Sequence, residues 1–134
     1  LSARLVIRLL LCALFAAAGV VHITNPALFF PIMPPIIPFR WACVVFSGVL
    51  ELLGAAGLLV PQRRIQQLTG VGLSLLLVAV FPANIYMAAE NIRIHGIPSQ
   101  PWMGWARLPL QPVLILAVLW VTRLWPPART KTSP

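Results

Sequence analysis

Four long apolar stretches organise the chain: Leu5–His22, Trp41–Val60, Leu68–Ala88 and Leu108–Trp125. Each runs for 18 to 21 residues, and about 20 residues of helix cross a hydrocarbon layer of roughly 30 Å. A helix pairs its backbone groups within its own segment, which lipid requires. The pattern therefore predicts an all-α fold, a four-helix transmembrane bundle in one unit over residues 1–125, with a tail over 126–134. Arg8 is the one charge inside the first stretch, and its long stem can carry the guanidinium back to the interface. Arg4, Arg8 and the run Ala16-Ala17-Ala18 also resemble a signal peptide, but the stretch is long for one and flows into a proline-rich segment, so it reads as a retained span.

The connections differ from one another. Pro61-Gln62-Arg63-Arg64 reads as a tight basic hairpin. Residues 23–40 carry Pro26, Pro31, Pro34, Pro35 and Pro38, a density that removes donors and predicts neither a regular helix nor a strand. The same segment holds Leu28, Phe29, Phe30, Ile32, Met33, Ile36, Ile37 and Phe39. Apolar chain that cannot pair its backbone belongs at the interface, so we expect a Pro-rich loop folded over the mouth of the bundle between helices 1 and 2. Residues 89–107 read as a second, more polar loop on the same side.

Composition agrees with the membrane reading. The 134 residues are 60% hydrophobic and 9% charged, with mean hydropathy +0.92, against about 25% charged in soluble domains. The net charge of +8 would raise nucleic acid as a partner in a soluble chain, but the basic residues sit at the edges of apolar runs, not in one stripe, so nucleic-acid binding is excluded. They also orient the bundle. Arg4, Arg8, Arg63, Arg64, Arg123, Arg129 and Lys131 fall on the side of the termini, and Arg40, Arg93 and Arg107 on the other. The positive-inside rule then puts both termini in the cytoplasm. Trp41, Tyr86, Trp102 and Trp105 form one aromatic belt, Trp120 and Trp125 the other.

Candidate chemistry is confined to few residues. Glu51 is the only acid deep in a span, and its helical neighbours Ser47, Gly48, Gly54 and Ala55 are small, so it should face another helix. A buried carboxyl costs several kcal/mol unless it is neutral or paired, and His22 is the nearest candidate donor. Gly70, Ser74, Leu77, Phe81 and Asn84 share one stripe of the third helix, which Pro82 breaks. Gln111 lies one turn inside Arg107, between Pro109 and Pro112. His22, Glu90 and Arg107 read as a rim, Asn84 and Gln111 as one turn deeper, and Glu51 as deepest. The set Glu51, Asn84, Gln111, His22, Arg107 and Ser47 forms an outward-facing polar pocket suited to a lipophilic ligand with a polar head, while Asn84 and Gln111 also suit simple interhelical bonding. His95 reads as solvated. Cys12 and Cys43 differ too much in depth to pair and read as buried small hydrophobes. No metal cluster, bis-His haem site or complete catalytic set is present in the sequence, so catalysis by the isolated chain is not indicated.

The stretches Gly19-Val20-Val21-His22 with Pro26, Ile32-Met33-Pro34-Pro35, Ser47-Gly48-Val49-Leu50-Glu51, Phe81-Pro82-Ala83-Asn84-Ile85-Tyr86-Met87 and Arg107-Leu108-Pro109-Leu110-Gln111 resemble the DoxX-like family of small bacterial membrane proteins. The resemblance runs from about residue 16 to 122. It implies a four-helix protein of the bacterial inner membrane, associated with thiosulfate or quinol redox complexes, oxidative-stress complexes or, in distant relatives, assembly of other membrane proteins. A bound quinone or lipid, and a membrane-protein partner or a second copy of the chain, are what it leads one to expect. Two alternatives stand beside the ligand-binding subunit: an assembly factor with no ligand, and an oxidoreductase component using Glu51 as a proton carrier. The redox cysteine pairs of some relatives are missing here, which counts against electron transfer by the chain itself.

Overall fold

A computed structural model describes residues 1–92 and 101–127. It contains α1 (Ala3–Thr24), a 3-10 helix (Pro26–Ile32), α2 (Arg40–Leu59), α3 (Arg63–Ala89) and α4 (Pro101–Val121). All four α-helices are long and apolar enough to cross a membrane. They pack as a ring: α1 on α2, α2 on α3, α3 on α4, and α4 back on α1 through the loosest of the four seams. Only 17% of the apolar window of α1, α3 and α4 is buried, against 39% for α2. So much exposed apolar surface has no stable place in water and fits a bundle set in a membrane.

The elements depart from the sequence-based expectation at their ends. The basic pair Arg63 and Arg64 lies in the first turn of α3, not in the connection, which shrinks to residues 60–62. This short turn is closed by a side chain: Gln66 Nε2 donates to the Val60 carbonyl at 2.8 Å. α4 starts at Pro101, seven residues before the expected Leu108, because a proline suits a helix start where no N–H partner is needed. It ends at Val121, and the αL residue Arg123 closes it, with Leu124 N–H bonded to the Leu119 carbonyl at 2.9 Å. α3 ends similarly on Asn91 (φ 53°), where Ile92 N–H reaches the Met87 carbonyl at 3.0 Å. Asn tolerates this conformation better than Arg does. His95, Arg93 and most of the tail lie outside the described residues.

The proline-rich segment is more ordered than its sequence implies. Pro26–Ile32 forms a 3-10 helix with Pro26 in its first turn and Pro31 inside. Bonds from Leu28 to Asn25 and from Met33 to Phe30, both 3.2 Å, bracket it. A proline costs such a coil only its own donor, and the remaining N–H groups still find carbonyls three residues back. The chain then turns through Phe39, a bulky residue at φ 55°, into α2.

Two apolar clusters result. Leu11, Phe15, Ala55, Leu58, Leu73, Leu77, Val118 and Val121 fill the half of the bundle nearer the termini. At the other end Ile32 packs on Met87, with Leu28, Phe29 and Ile92 around them. The terminal half is not purely apolar, however: Gln66 and Thr122 are buried there, each spending its side chain on a backbone carbonyl. Cys12 is half-buried and donates to the Ala55 carbonyl, but Cys43 is exposed, because its face of α2 looks outward.

One glycine measures how open the lipid face is. A Cβ on Gly72 would meet nothing within 4 Å. Glycine costs about 1 kcal/mol against alanine inside a helix. Gly72→Ala is therefore expected to raise stability by up to about 1 kcal/mol, read from detergent unfolding followed by circular dichroism; a destabilised variant would contradict the open surroundings.

Candidate functional site

The site begins at the tightest point of the α1–α2 seam. A Cβ on Gly19 would stand 2.8 Å from the Gly48 carbonyl oxygen, and one on Gly48 would stand 2.8 Å from His22 Cβ. Missing side chains on both helices thus let the backbones touch, the small-residue packing that membrane helices favour. Side chains on a helix lean toward its N-terminus. α1 and α2 are antiparallel, so His22 leans toward the bundle centre and Glu51 leans out to meet it. His22 Nδ1 and Glu51 Oε2 lie 2.7 Å apart. His22 is thus a partner of Glu51 and not a separate rim residue.

The lid touches this pair. Phe29, on the 3-10 helix, lies with its ring centroid 4.1 Å from that of His22, tilted by 30°. Below the lid the buried Met87 receives a long contact from Arg107, Nη1 to Sδ at 3.6 Å. Arg107 thereby sits beneath the apolar cap, one turn from Gln111 on α4.

Asn84 and Gln111 form a second pair between α3 and α4. Asn84 Nδ2 donates to Gln111 Oε1, and Gln111 Nε2 donates to the Leu77 carbonyl at 2.8 Å. Pro82 cannot return a bond to the carbonyl of Val78, so α3 is loosened at this point. Gln111 fastens the neighbouring carbonyl across the seam, and it is buried there. Both of its polar groups are committed.

The two pairs share a level. On the α2–α3 seam, Gly54 faces Leu73 and Gly57 faces Thr69. Continuing this antiparallel register one turn toward the lid brings Glu51 level with Leu76 and Leu77, where the Gln111 amide ends. A polar layer thus lies between the terminal apolar cluster and the lid cluster. Ser47, one turn from Glu51 on the same face, has a buried hydroxyl with no hydrogen-bond partner among the described residues, and so does Ser74 on α3.

The structure joins His22 to Glu51 and Asn84 to Gln111, places Arg107 on Met87, and leaves Ser47 unbonded. No hydrogen bond among the described residues links the two pairs to each other. Glu90 is exposed. Phe29 and Met87 were not singled out by sequence reasoning, since an aromatic in an apolar loop and a methionine in an apolar helix carry no signal of contact. A cavity of about 310 Å³ lies at the lid, lined by Thr24, Asn25, Pro26, Ala27, Leu28 and Pro31. It adjoins the end of α1 and is not lined by the polar pairs. Among the described residues no three His, Cys, Asp or Glu side chains gather to hold a metal ion.

Four apolar helices, a lid and a buried polar layer define a small multi-pass membrane protein. More narrowly, the chain belongs to a family described as a domain of unknown function (DUF8561), whose model matches residues 11–122. No curated protein matches it, and no solved structure does.

Proposed function

We propose that this protein is an accessory component of a redox-linked membrane complex, and that its His22–Glu51 pair holds the polar head of a lipophilic ligand such as a quinone. One observation carries the reading. The two side chains bond each other at 2.7 Å yet remain 18% and 11% exposed, directly beside the Phe29 ring. Glu51 is largely buried, and the imidazole is the more open member of the pair. Among the described residues His22 Nε2, the second Glu51 oxygen and the Ser47 hydroxyl make no hydrogen bond, so they can address a ligand. A quinone carbonyl accepts a hydrogen bond and the quinol hydroxyl donates one; imidazole and carboxyl together can answer both. The Asn84–Gln111 pair takes a packing role, because its groups are spent on each other and on Leu77. The redox setting and the bacterial inner membrane rest on the DoxX-like resemblance, and the cytoplasmic placement of both termini rests on the arginine asymmetry.

The test is quinone binding by the purified chain in mild detergent, titrated with a decyl-substituted benzoquinone. Glu51→Gln is expected to weaken binding by about tenfold, the loss of one hydrogen bond of the carboxyl. Asn84→Ala should lower stability but leave quinone bound per folded protein unchanged. Wild-type affinity in both Glu51→Gln and His22→Gln would overturn the ligand reading. Stoichiometric copurification of a membrane protein, indifferent to Glu51→Gln, would replace it with the assembly reading.

A further inference from the structure

The opposite end of the bundle carries a charge imbalance that the outer site does not use. The only acidic side chains of the chain are Glu51 and Glu90. One is in the polar layer and the other follows α3 at the lid end, so among the described residues no acidic side chain stands near the end that carries the termini. Arg4, Arg8, Arg63, Arg64 and Arg123 all sit there among the described residues. Arg63, Arg64 and Arg123 are exposed, and water or any passing anion satisfies them.

Arg4 and Arg8 differ. Both are half-buried, and they lie four residues apart on α1, hence on one face, where two like charges repel. The Arg4 guanidinium is held 4.9 Å from the ring centroid of Trp120 on α4. Its Nε is buried without any hydrogen-bond partner among the described residues, and neither arginine has an ion pair there. The guanidinium is thus fixed against an aromatic face at the α1–α4 seam, the loosest in the ring, with no acceptor for its fork among the described residues. Tryptophan and arginine at this depth mark the headgroup level of a bilayer, and a guanidinium fork matches phosphate oxygens.

We propose that the terminal end of the α1–α4 seam binds an anionic phospholipid, its phosphate bridging Arg4 and Arg8 beside Trp120. The phosphate neutralises two cations that otherwise repel, and the acyl chains lie along the loose apolar seam. A lipid fits better than a soluble anion because Arg8 stands about 6 Å deeper than Arg4, inside the first apolar run. This inference is independent of the quinone reading.

The experiment is native mass spectrometry of the full chain in mild detergent. The chain is incubated with equal amounts of phosphatidylglycerol and phosphatidylcholine of the same acyl composition. The wild type is expected to retain phosphatidylglycerol with a preference of about thirtyfold, the scale set by two basic side chains at a membrane surface. The Arg4→Gln/Arg8→Gln variant should lose that preference, and Arg63→Gln/Arg64→Gln should keep it. The proposal is overturned by equal retention of the two lipids in the wild type, a comparison that stands whether or not the variants fold. It is also overturned if both double variants lose the preference alike, which would mean a diffuse basic field. Erasure of the preference by millimolar inorganic phosphate would assign the seam to a free anion and overturn the lipid assignment.

Discussion

Replacing His22 by leucine should destabilise the bundle by about 3 kcal/mol or more, because it leaves the Glu51 carboxyl buried without its partner. The magnitude decides what kind of contact the 2.7 Å pair is. Hydrogen bonds between membrane helices average only about 0.6 kcal/mol in double-mutant cycles. Removing one member of a buried charged pair costs about 3–5 kcal/mol. A loss toward the larger figure is expected here, since Glu51 faces the tight α1–α2 seam and His22 is the one hydrogen-bond partner of its side chain among the described residues. The double variant His22→Leu/Glu51→Leu should recover most of the loss, because an apolar pair of similar volume removes the desolvation cost together with the attraction. The measurement is a double-mutant cycle in reversible detergent unfolding. Additivity of the single variants within about 0.5 kcal/mol would show that the two residues are not coupled.

The second large effect is expected at Gly48. A Cβ there would meet His22 Cβ at 2.8 Å and the Gly19 carbonyl oxygen at 2.9 Å. Neither can rotate away, as one is backbone and the other is the root of a side chain. Gly48→Val must push α1 from α2, at a cost of about 1–3 kcal/mol for overpacking, and must also stretch the His22–Glu51 contact. A loss exceeding that of Gly54→Val is expected, because the obstacle at Gly54 is the Leu73 side chain, which has rotamers to use. Unfolding titrations of the two variants give the order directly. Equal losses would mean that the α1–α2 approach is softer than its geometry indicates. Gly48→Val should also abolish quinone binding before it abolishes folding, if the pair is the binding element.

Much of this organisation is legible without coordinates. The apolar runs located the four helices because a bilayer imposes both length and composition on a span. The small neighbours of Glu51 pointed it into the bundle for a similarly local reason: on a helix, residues three and four apart share a face. Element ends were less legible. Arg63 and Arg64 read as a loop because charge usually ends a span, yet a helix can continue past the apolar layer at no cost in water. The 3-10 helix at Pro26–Ile32 was hidden because proline density marks the loss of α-helical bonds and says nothing of bonds three residues back. Cys43 read as buried from its place in an apolar run, but in lipid an outward face is as apolar as an inward one.

The sequence by itself determined the class of the molecule: four membrane-crossing helices, a lid too rich in proline for α-helix, and a handful of polar residues that lipid cannot accommodate. Those follow from composition and spacing along one chain. His22 was legible as a candidate donor for Glu51, but only the tertiary structure decided that it takes that role and that Asn84 bonds Gln111. It also decided that Phe29 lies on the imidazole and Arg4 on Trp120. Such pairings depend on the register between helices, which close-packed glycines and the lean of each side chain set, and no pattern within a single helix encodes it.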